Sequence, residues 1–267
     1  MRRALLIPIV AIAIAPGAAE ADGPPRRART AQRATGAPRR ASVVRPRGRV
    51  AIHPDWEKHP STRYAALDAP ACLDELGRRG VAFSRVDRAP GVLAPVRLPE
   101  GAGGVVFRTA APAHARATGP HDVFDCRLAL ALHDWAGLLR SHDVDEVLLF
   151  SAWRPDARVG DGLGRRHGGG LAIDAYRFRK RADASGGERV ELDVLRDFHG
   201  TPGAPPCGAG APPPRPDTLA VRELRSIVCE AADQHLFTVM LTPHHDRHHR
   251  NHLHLEITPG VPWHLVR

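Results

Sequence analysis

The chain has 267 residues, of which 43% are hydrophobic and 25% charged, enough for one domain with a sizeable core or two small ones. Its formal charge of +9 lies entirely in residues 1–49, which contain eleven arginines and two acidic residues; residues 50–267 contain 27 basic and 27 acidic residues. The neutral body argues against a nucleic-acid-binding protein. No apolar run reaches the ~18 residues of a membrane span, which argues against an integral membrane protein.

Residues 1–21 have the pattern of a secretory signal peptide. Arg2 and Arg3 precede the apolar run ALLIPIVAIAIA, and the small residues around Glu20 fit cleavage after Ala21. The alternative is an uncleaved membrane anchor. Cleavage would leave a protein without stable membrane insertion, in the periplasm, the cell envelope or the extracellular space.

Residues 22–49 consist mainly of Arg, Pro, Ala and Gly and contain almost no large apolar side chain. Such a segment cannot nucleate a core, so we expect a disordered linker. After export its charge could hold the protein near anionic envelope polymers, or it could be a plain solvated spacer. The folded domain is therefore expected over residues 50–267.

The domain mixes helical and strand patterns, which predicts an α+β fold. The apolar spacing and the turn residues predict helices over 72–79, 126–140 and 217–235, the last capped by Asp217 or Thr218. Strands are predicted over 81–86, 92–98, 104–108, 146–153, 171–176, 237–241 and 252–258. Residues 200–216 are rich in Gly and Pro and are predicted to form a loop.

The four cysteines are Cys72, Cys126, Cys207 and Cys229. An even number in an exported chain indicates two disulfides, with three pairings open. The alternative is that some of them are free thiols packed in the core.

A first chemical motif runs from His167 through three glycines to Asp174. Asp174 lies in an apolar strand, and a buried carboxylate needs a partner such as a metal ion. The glycines allow the backbone to fold back and bring His167 alongside Asp174.

A second motif is the alternating run His252-Leu253-His254-Leu255-Glu256. Both histidines point to one face of a strand. The two motifs therefore offer two histidines and one carboxylate as ligands, as in catalytic zinc sites, with one histidine left as a general base. Six of the 16 histidines fall within residues 244–254, so some of them are expected to be incidental.

These motifs resemble the zinc D-alanyl-D-alanine peptidase and murein endopeptidase superfamily, whose fold is shared with the hedgehog signalling domain. More closely, residues 65–260 resemble the bacterial extensin-like C-terminal family. The matching stretches are 72–73, 80–81, 95–98, 126–129, 151–155, 167–174, 229, 237–239 and 249–256.

The resemblance implies an α+β fold with a small central antiparallel sheet and flanking helices, and one zinc ion per chain. His167, Asp174 and His254 would bind the zinc, and His252 would act as base or electrostatic helper. Arg154 would hold the scissile carbonyl oxygen or a substrate carboxylate, a role suited to a guanidinium, unless it forms only a surface ion pair.

The chain departs from the superfamily at two positions. Arg165 stands where a serine is common, and Asn251 stands where the carboxypeptidase branch has a glutamate base. His252 or His249 would then take the proton, with Ser151 a further secondary candidate.

The metal motifs and the resemblance together lead to three hypotheses for the function. The first is a secreted zinc peptidase acting on peptidoglycan stem peptides that contain D-Ala. The second is a non-catalytic zinc-stabilised domain that binds the cell wall or has a structural role. The third is a hydrolase of small substrates such as a D-Ala-D-Ala dipeptide.

Overall fold

A computed structural model describes residues 54–157, 164–182 and 189–267. The signal peptide predicted over residues 1–21 and the linker predicted over residues 22–49 lie outside the described residues.

The described residues form six α-helices, labelled in chain order: α1 Pro60–Ala65, α2 Ala69–Arg78, α3 Ala113–Thr118, α4 Cys126–Ser141, α5 Val194–Asp197 and α6 Leu219–Asp233. Three turns are 3-10 helices: Trp56–Lys58, His167–Gly169 and Arg247–His249.

They also form ten strands: β1 Ser84–Arg85, β2 Pro95–Arg97, β3 Val106–Thr109, β4 Phe124–Asp125, β5 Val144–Leu149, β6 Ala172–Lys180, β7 Glu191–Asp193, β8 Val239–Leu241, β9 Leu253–Glu256 and β10 Leu265–Val266. Strands β1, β2 and β4 form a small antiparallel sheet.

The remaining strands form one larger sheet in the order β10-β8-β9-β6-β5-β3, with β7 paired to β6. The α+β class is confirmed. The sheet is antiparallel in its interior, as expected, but β3 pairs parallel to β5 and β10 pairs parallel to β8. The expectation of an antiparallel sheet is therefore corrected to a mixed one. Strands β3 and β5 can pair in parallel because the long connection between them, which includes α4, carries the chain back to the end of the sheet at which β3 begins.

Helix α4 supplies the centre of the core. It was predicted over 126–140 and extends one residue further, with Asp125 capping its first turn by accepting a hydrogen bond from the backbone N–H of Arg127. Its Trp135 ring packs against three phenylalanine rings, with centroids 5.5–5.9 Å apart. These rings belong to β3, β6 and the segment before β8, so α4 holds the sheet that carries the motifs. Apolar burial of this kind is the main stabilising term.

Several predicted boundaries differ from the structure. The strand predicted over 81–86 shortens to β1, because the N–H of Val81 bonds the carbonyl of Leu76 and closes the end of α2. Strand β6 runs on to Lys180 instead of ending at 176. Its outer residues Arg177 and Arg179 form ion pairs with acidic residues of β7, a strand that apolar alternation did not predict.

The cysteines form two disulfides, Cys72–Cys126 and Cys207–Cys229, and no cysteine is free. The first joins α2 to the start of α4, and the second joins the Gly/Pro-rich loop to α6. The prediction of two disulfides is confirmed and the alternative of free core thiols is wrong. Two disulfides suggest an oxidising, exported environment. None of the helices in the described ranges is long and apolar enough to cross a membrane.

Candidate metal centre

The register between β6 and β9 assembles the first half of the site. Asp174 on β6 lies directly opposite His254 on β9, and Ala172 lies opposite Glu256. Because alternate residues of a strand share a face, His254 and Glu256 point to the same side of the sheet as Asp174.

The glycine-rich turn brings His167 to the same place. His167 begins the 3-10 turn His167–Gly169. The next residue, Gly170, has a φ of 64°, which is left-handed and favours glycine. The carbonyl of Gly170 accepts a hydrogen bond of 2.8 Å from the backbone N–H of Asp125. A Cβ at Gly170 would lie 3.0 Å from that nitrogen, so the turn is also tightly packed. The predicted fold-back of His167 onto Asp174 is present.

His167, Asp174 and His254 converge on one point. Asp174 Oδ1 lies 3.0 Å from His167 Nε2 and 3.0 Å from His254 Nδ1. One ligand atom from each residue lies within 4.8 Å of the other two, and all three side chains are buried. Tetrahedral zinc, with bonds of about 2.0–2.2 Å, separates such ligand atoms by about 3.3 Å. These three residues could therefore hold a metal ion after small side-chain shifts.

The outward nitrogen of each histidine is held by an acceptor. His167 Nδ1 donates to the carbonyl of Ala152 at 2.6 Å, and His254 Nε2 donates to Glu256 Oε2 at 2.9 Å. Glu256 is itself held, because the hydroxyl of Thr258 donates to its Oε1 at 2.8 Å. Metal-binding histidines have this arrangement, in which an acceptor behind the ring fixes the tautomer and aims the other nitrogen at the ion. The donor set therefore fits a metal ion.

Burial and hydrogen bonding shift the pKa values of two ligands in opposite directions. Burial alone would raise the pKa of Asp174, but hydrogen bonds from His167 and His254 lower it well below its ordinary value. Burial alone would lower the pKa of His254, but its bonds to Asp174 and Glu256 raise it to about 9. Without metal, His254 is thus a cation between two carboxylates.

His252 lies beside this group at its more exposed edge. It precedes β9 instead of opening the strand, yet its Nε2 is 3.5 Å from Asp174 Oδ1. Its Nδ1 donates to Asn251 Oδ1 at 2.9 Å, which leaves Nε2 as the nitrogen with a lone pair. Burial, with the charges of His249, His254 and Arg154, lowers the pKa of His252 to about 4 against the opposing effect of Asp174. His252 is therefore neutral at physiological pH.

Arg154 contacts the ligand carboxylate. Its Nη2 donates to Asp174 Oδ2, and its Nε donates to the hydroxyl oxygen of Ser151 at 2.6 Å. Asp174 thus offers Oδ1 to the histidines while Arg154 holds Oδ2. Ser151 is buried, whereas the Arg154 side chain is 43% exposed and reaches solvent. The predicted contact of Arg154 with a substrate oxygen stays a prediction.

The histidine-rich turn after β8 lies next to His252. The ring of His249 is centred 5.1 Å from that of His252, and its Nδ1 bonds Asp246 Oδ1 at 2.8 Å. His245, Asp246 and His249 form a second, half-buried group whose ligand atoms lie within 4.8 Å of one another. Arg165, the position at which the expected motif has a serine, is exposed.

Sequence reasoning gave no role to two features of the site. One is Glu256. It lies two residues after His254 in a strand, so the alternation of side chains could have predicted that it shares a face with His254 and contacts its ring. The other is an aromatic pair, in which the rings of Phe150 and Tyr176 stack with centroids 4.2 Å apart. Phe150 is 44% exposed and its ring meets that of His252 edge-on at 5.9 Å. No sequence signal separates Phe150 from the apolar strand residues before it.

Comparison of the chain with protein-family models, with curated proteins and with solved structures gives no match. The geometry of the site therefore carries the functional argument.

Proposed function

We propose that this chain is an exported zinc-dependent peptidase that hydrolyses peptide bonds in peptidoglycan stem peptides containing D-Ala. The observation that carries the proposal is the convergence of His167, Asp174 and His254, with an acceptor behind each imidazole. Two histidines, one carboxylate and an open position are the ligand set of catalytic zinc. The disulfides support export, and the resemblance supplies the substrate class.

Zinc bound by these residues would supply a Lewis acid for a carbonyl oxygen and an activated water. The chain's own part begins with His252. Because its Nδ1–H is held by Asn251, its Nε2 lone pair faces the ligand group and can accept a proton from the attacking water. Asn251 cannot itself accept the proton, because its amide is not basic. Its part is to orient the ring of His252, which acts as the base.

Arg154 acts at the exposed edge. Its contact with Asp174 Oδ2 fixes the ligand carboxylate, and the half-exposed guanidinium is placed to attract a carbonyl oxygen or the terminal carboxylate of a stem peptide. Phe150 and Tyr176 form an apolar wall beside His252, against which a small side chain such as that of alanine can pack.

The proposal is tested by incubating the zinc-loaded protein with purified sacculi and measuring the muropeptides by mass, with and without a chelator. We expect chelator-sensitive loss of cross-linked dimers or of a terminal D-Ala. His167→Ala and Asp174→Asn should abolish this loss, while the exposed His114→Ala should retain it. Full activity in the first two variants, or an unchanged muropeptide profile from protein that holds zinc, contradicts the proposal.

One observation favours a second function, a zinc-stabilised domain that binds the wall without cleaving it. All three potential ligand residues are nearly inaccessible, at 2–3% exposure, as is usual for structural ions. Co-sedimentation with sacculi, together with a zinc-dependent rise in Tm and no change in muropeptides, would establish that function instead.

A further inference from the structure

Three histidines that are distant in the chain meet in a third group of potential metal ligands. His59 lies just before α1, His235 follows the end of α6, and His264 directly precedes β10. One ring nitrogen from each lies within 4.8 Å of the other two. The group shares no residue with the centre around Asp174.

The rings form a compact cluster. The His59 and His235 rings stack with centroids 3.8 Å apart, and the His264 ring is centred 4.8 Å from the first and 4.6 Å from the second. His59 Nδ1 lies 2.8 Å from His264 Nε2. Like charges this close repel one another, which disfavours the form with all three rings protonated, and each unprotonated ring offers a nitrogen lone pair to a metal ion.

The surroundings of His264 fix which nitrogen faces the cluster. Its Nδ1 lies 3.3 Å from the carbonyl oxygen of Phe237 and therefore carries the hydrogen that this carbonyl accepts. The Ser61 hydroxyl lies 3.4 Å from the same nitrogen. Nε2 is then the unprotonated nitrogen, aimed at His59. A ring held through one N–H by a backbone carbonyl, with its other nitrogen directed at further imidazoles, has the arrangement of a metal ligand.

The backbone at His235 is a second, independent observation. Its φ is +51°, a left-handed conformation at the end of a helix where glycine or asparagine is usual. Histidine is one of the few residues besides glycine that occur in this conformation, so His235 can adopt it while its ring stacks on His59.

We propose that His59, His235 and His264 form a second metal site, for a divalent late first-row transition ion such as Zn²⁺. Three imidazoles favour ions of this class over Mg²⁺ or Ca²⁺, which prefer oxygen ligands. The ion takes the place of the hydrogen bond between His59 and His264. It ties the segment before α1 to the end of α6 and to the segment before β10, so its role is to stabilise the fold.

The test uses zinc alone as the probe and needs no substrate. Protein stripped of metal is titrated with Zn²⁺ against a competing chelator, and the bound metal is counted by mass spectrometry. We expect about two tightly bound zinc ions per chain, and about one after Asp174→Asn. His235→Asn in the Asp174→Asn protein should remove the remaining ion.

His235→Asn is the sharpest variant because asparagine tolerates a left-handed backbone but supplies no imidazole. In the Asp174→Asn protein, saturating zinc should raise Tm by about 5–10 °C at a hundredfold excess over Kd. His235→Asn should abolish this rise without lowering the Tm of the metal-free protein. His264→Gln should also abolish it, whereas the exposed His114→Gln should not.

The histidine-rich turn gives the competing outcome. If His249→Gln removes the second ion while His235→Asn and His264→Gln retain it, the ion belongs to that turn and the proposal is overturned. The proposal is equally overturned if Asp174→Asn protein binds no zinc. Neither readout depends on hydrolysis, so the result is independent of the proposed function.

Discussion

Glu256 accepts a hydrogen bond of 2.9 Å from Nε2 of His254, whose other nitrogen lies 3.0 Å from Asp174. The carboxylate–imidazole pair is buried and lies on one face of a single strand. Glu256 is therefore placed to orient His254 in the candidate metal centre, although it is not one of the three potential ligands.

The first prediction concerns this pair. Glu256→Gln keeps the shape of the side chain but removes the charge that orients His254, and we expect zinc affinity at this centre to fall about 10–100-fold. The measurement is a competition titration in the His235→Asn protein. The exposed Glu57→Gln serves as control and should leave the affinity unchanged. An unaltered affinity in Glu256→Gln would remove Glu256 from the site.

The second prediction is a pH dependence of metal binding. Zinc must displace the proton from His254 Nδ1, and the pKa of this residue in the metal-free protein is about 9. Zinc affinity should therefore rise about tenfold per pH unit between pH 7 and 9. Calorimetry in buffers of different ionisation enthalpy should detect the released proton.

The same shift affects the stability of the metal-free protein. Because the folded pKa lies above the ordinary 6.5, His254 stabilises the fold fully below pH 6.5. This contribution is lost as the pH rises through 9.

A zinc affinity that is the same at pH 7 and at pH 9 would contradict the second prediction. It would mean that His254 of the metal-free protein is already neutral at pH 7.

The third prediction separates a base from a ligand at His252. His252→Gln should lower kcat about 10²–10⁴-fold while the bound zinc remains unchanged, because the residue moves a proton without holding the ion. The exposed His248→Gln is the matched control from the adjacent turn and should retain most of kcat. Loss of zinc together with activity in His252→Gln would make His252 a fourth ligand.

The fourth prediction compares two glycines. Gly170 has a left-handed φ and its Cβ would lie 3.0 Å from the Asp125 nitrogen, so Gly170→Ala should destabilise the protein by about 1–3 kcal/mol. Gly77 lies inside α2 with no atom within 4 Å of an added Cβ. Gly77→Ala should therefore stabilise the protein by about 0.5–1 kcal/mol. Urea unfolding of both variants measures the difference, and a loss of stability at both positions would contradict the argument.

The fifth prediction ranks the disulfides. Cys72–Cys126 closes a loop of sequence separation 54, and Cys207–Cys229 one of 22. From loop-closure entropy, replacing both cysteines by alanine should cost about 4 kcal/mol for the first pair and about 3 kcal/mol for the second. Denaturant unfolding of the zinc-free variants measures the two losses in the free energy of unfolding. A larger loss for the second pair would contradict the prediction.

The sequence was most informative where one physical factor dominates. Helix α4 was predicted from its apolar face, and its predicted and observed bounds differ by one residue. Of the two predicted caps of α6, Asp217 and Thr218, it is Thr218 that accepts a hydrogen bond from the N–H of Val221. At the site, the glycine turn predicted the approach of His167 to Asp174, whereas the choice of His254 over His252 as the third ligand came from the family resemblance.

The remaining features depend on distant partners. Strand β6 extends past its apolar part because the charges of Arg177 and Arg179 are matched by β7, a pairing that no local pattern contains. Strand β10 is too short to show alternation and exists through its parallel pairing with β8. Likewise, the meeting of His59 with His264 joins residues about two hundred positions apart, which local periodicity cannot reveal.

The backbone hydrogen bond between Asp125 and Gly170 links the position of His167 to the formation of a disulfide. Asp125 is the neighbour of Cys126, so the turn that presents His167 is anchored next to a disulfide. In a reducing cytoplasm the Cys72–Cys126 disulfide does not form. Asp125, which holds the turn, then lies at the end of a less constrained helix. If the chain is the hydrolase proposed above, it would become active only after export. It would therefore be synthesised inactive in the cytoplasm, where there is no cell wall to cleave.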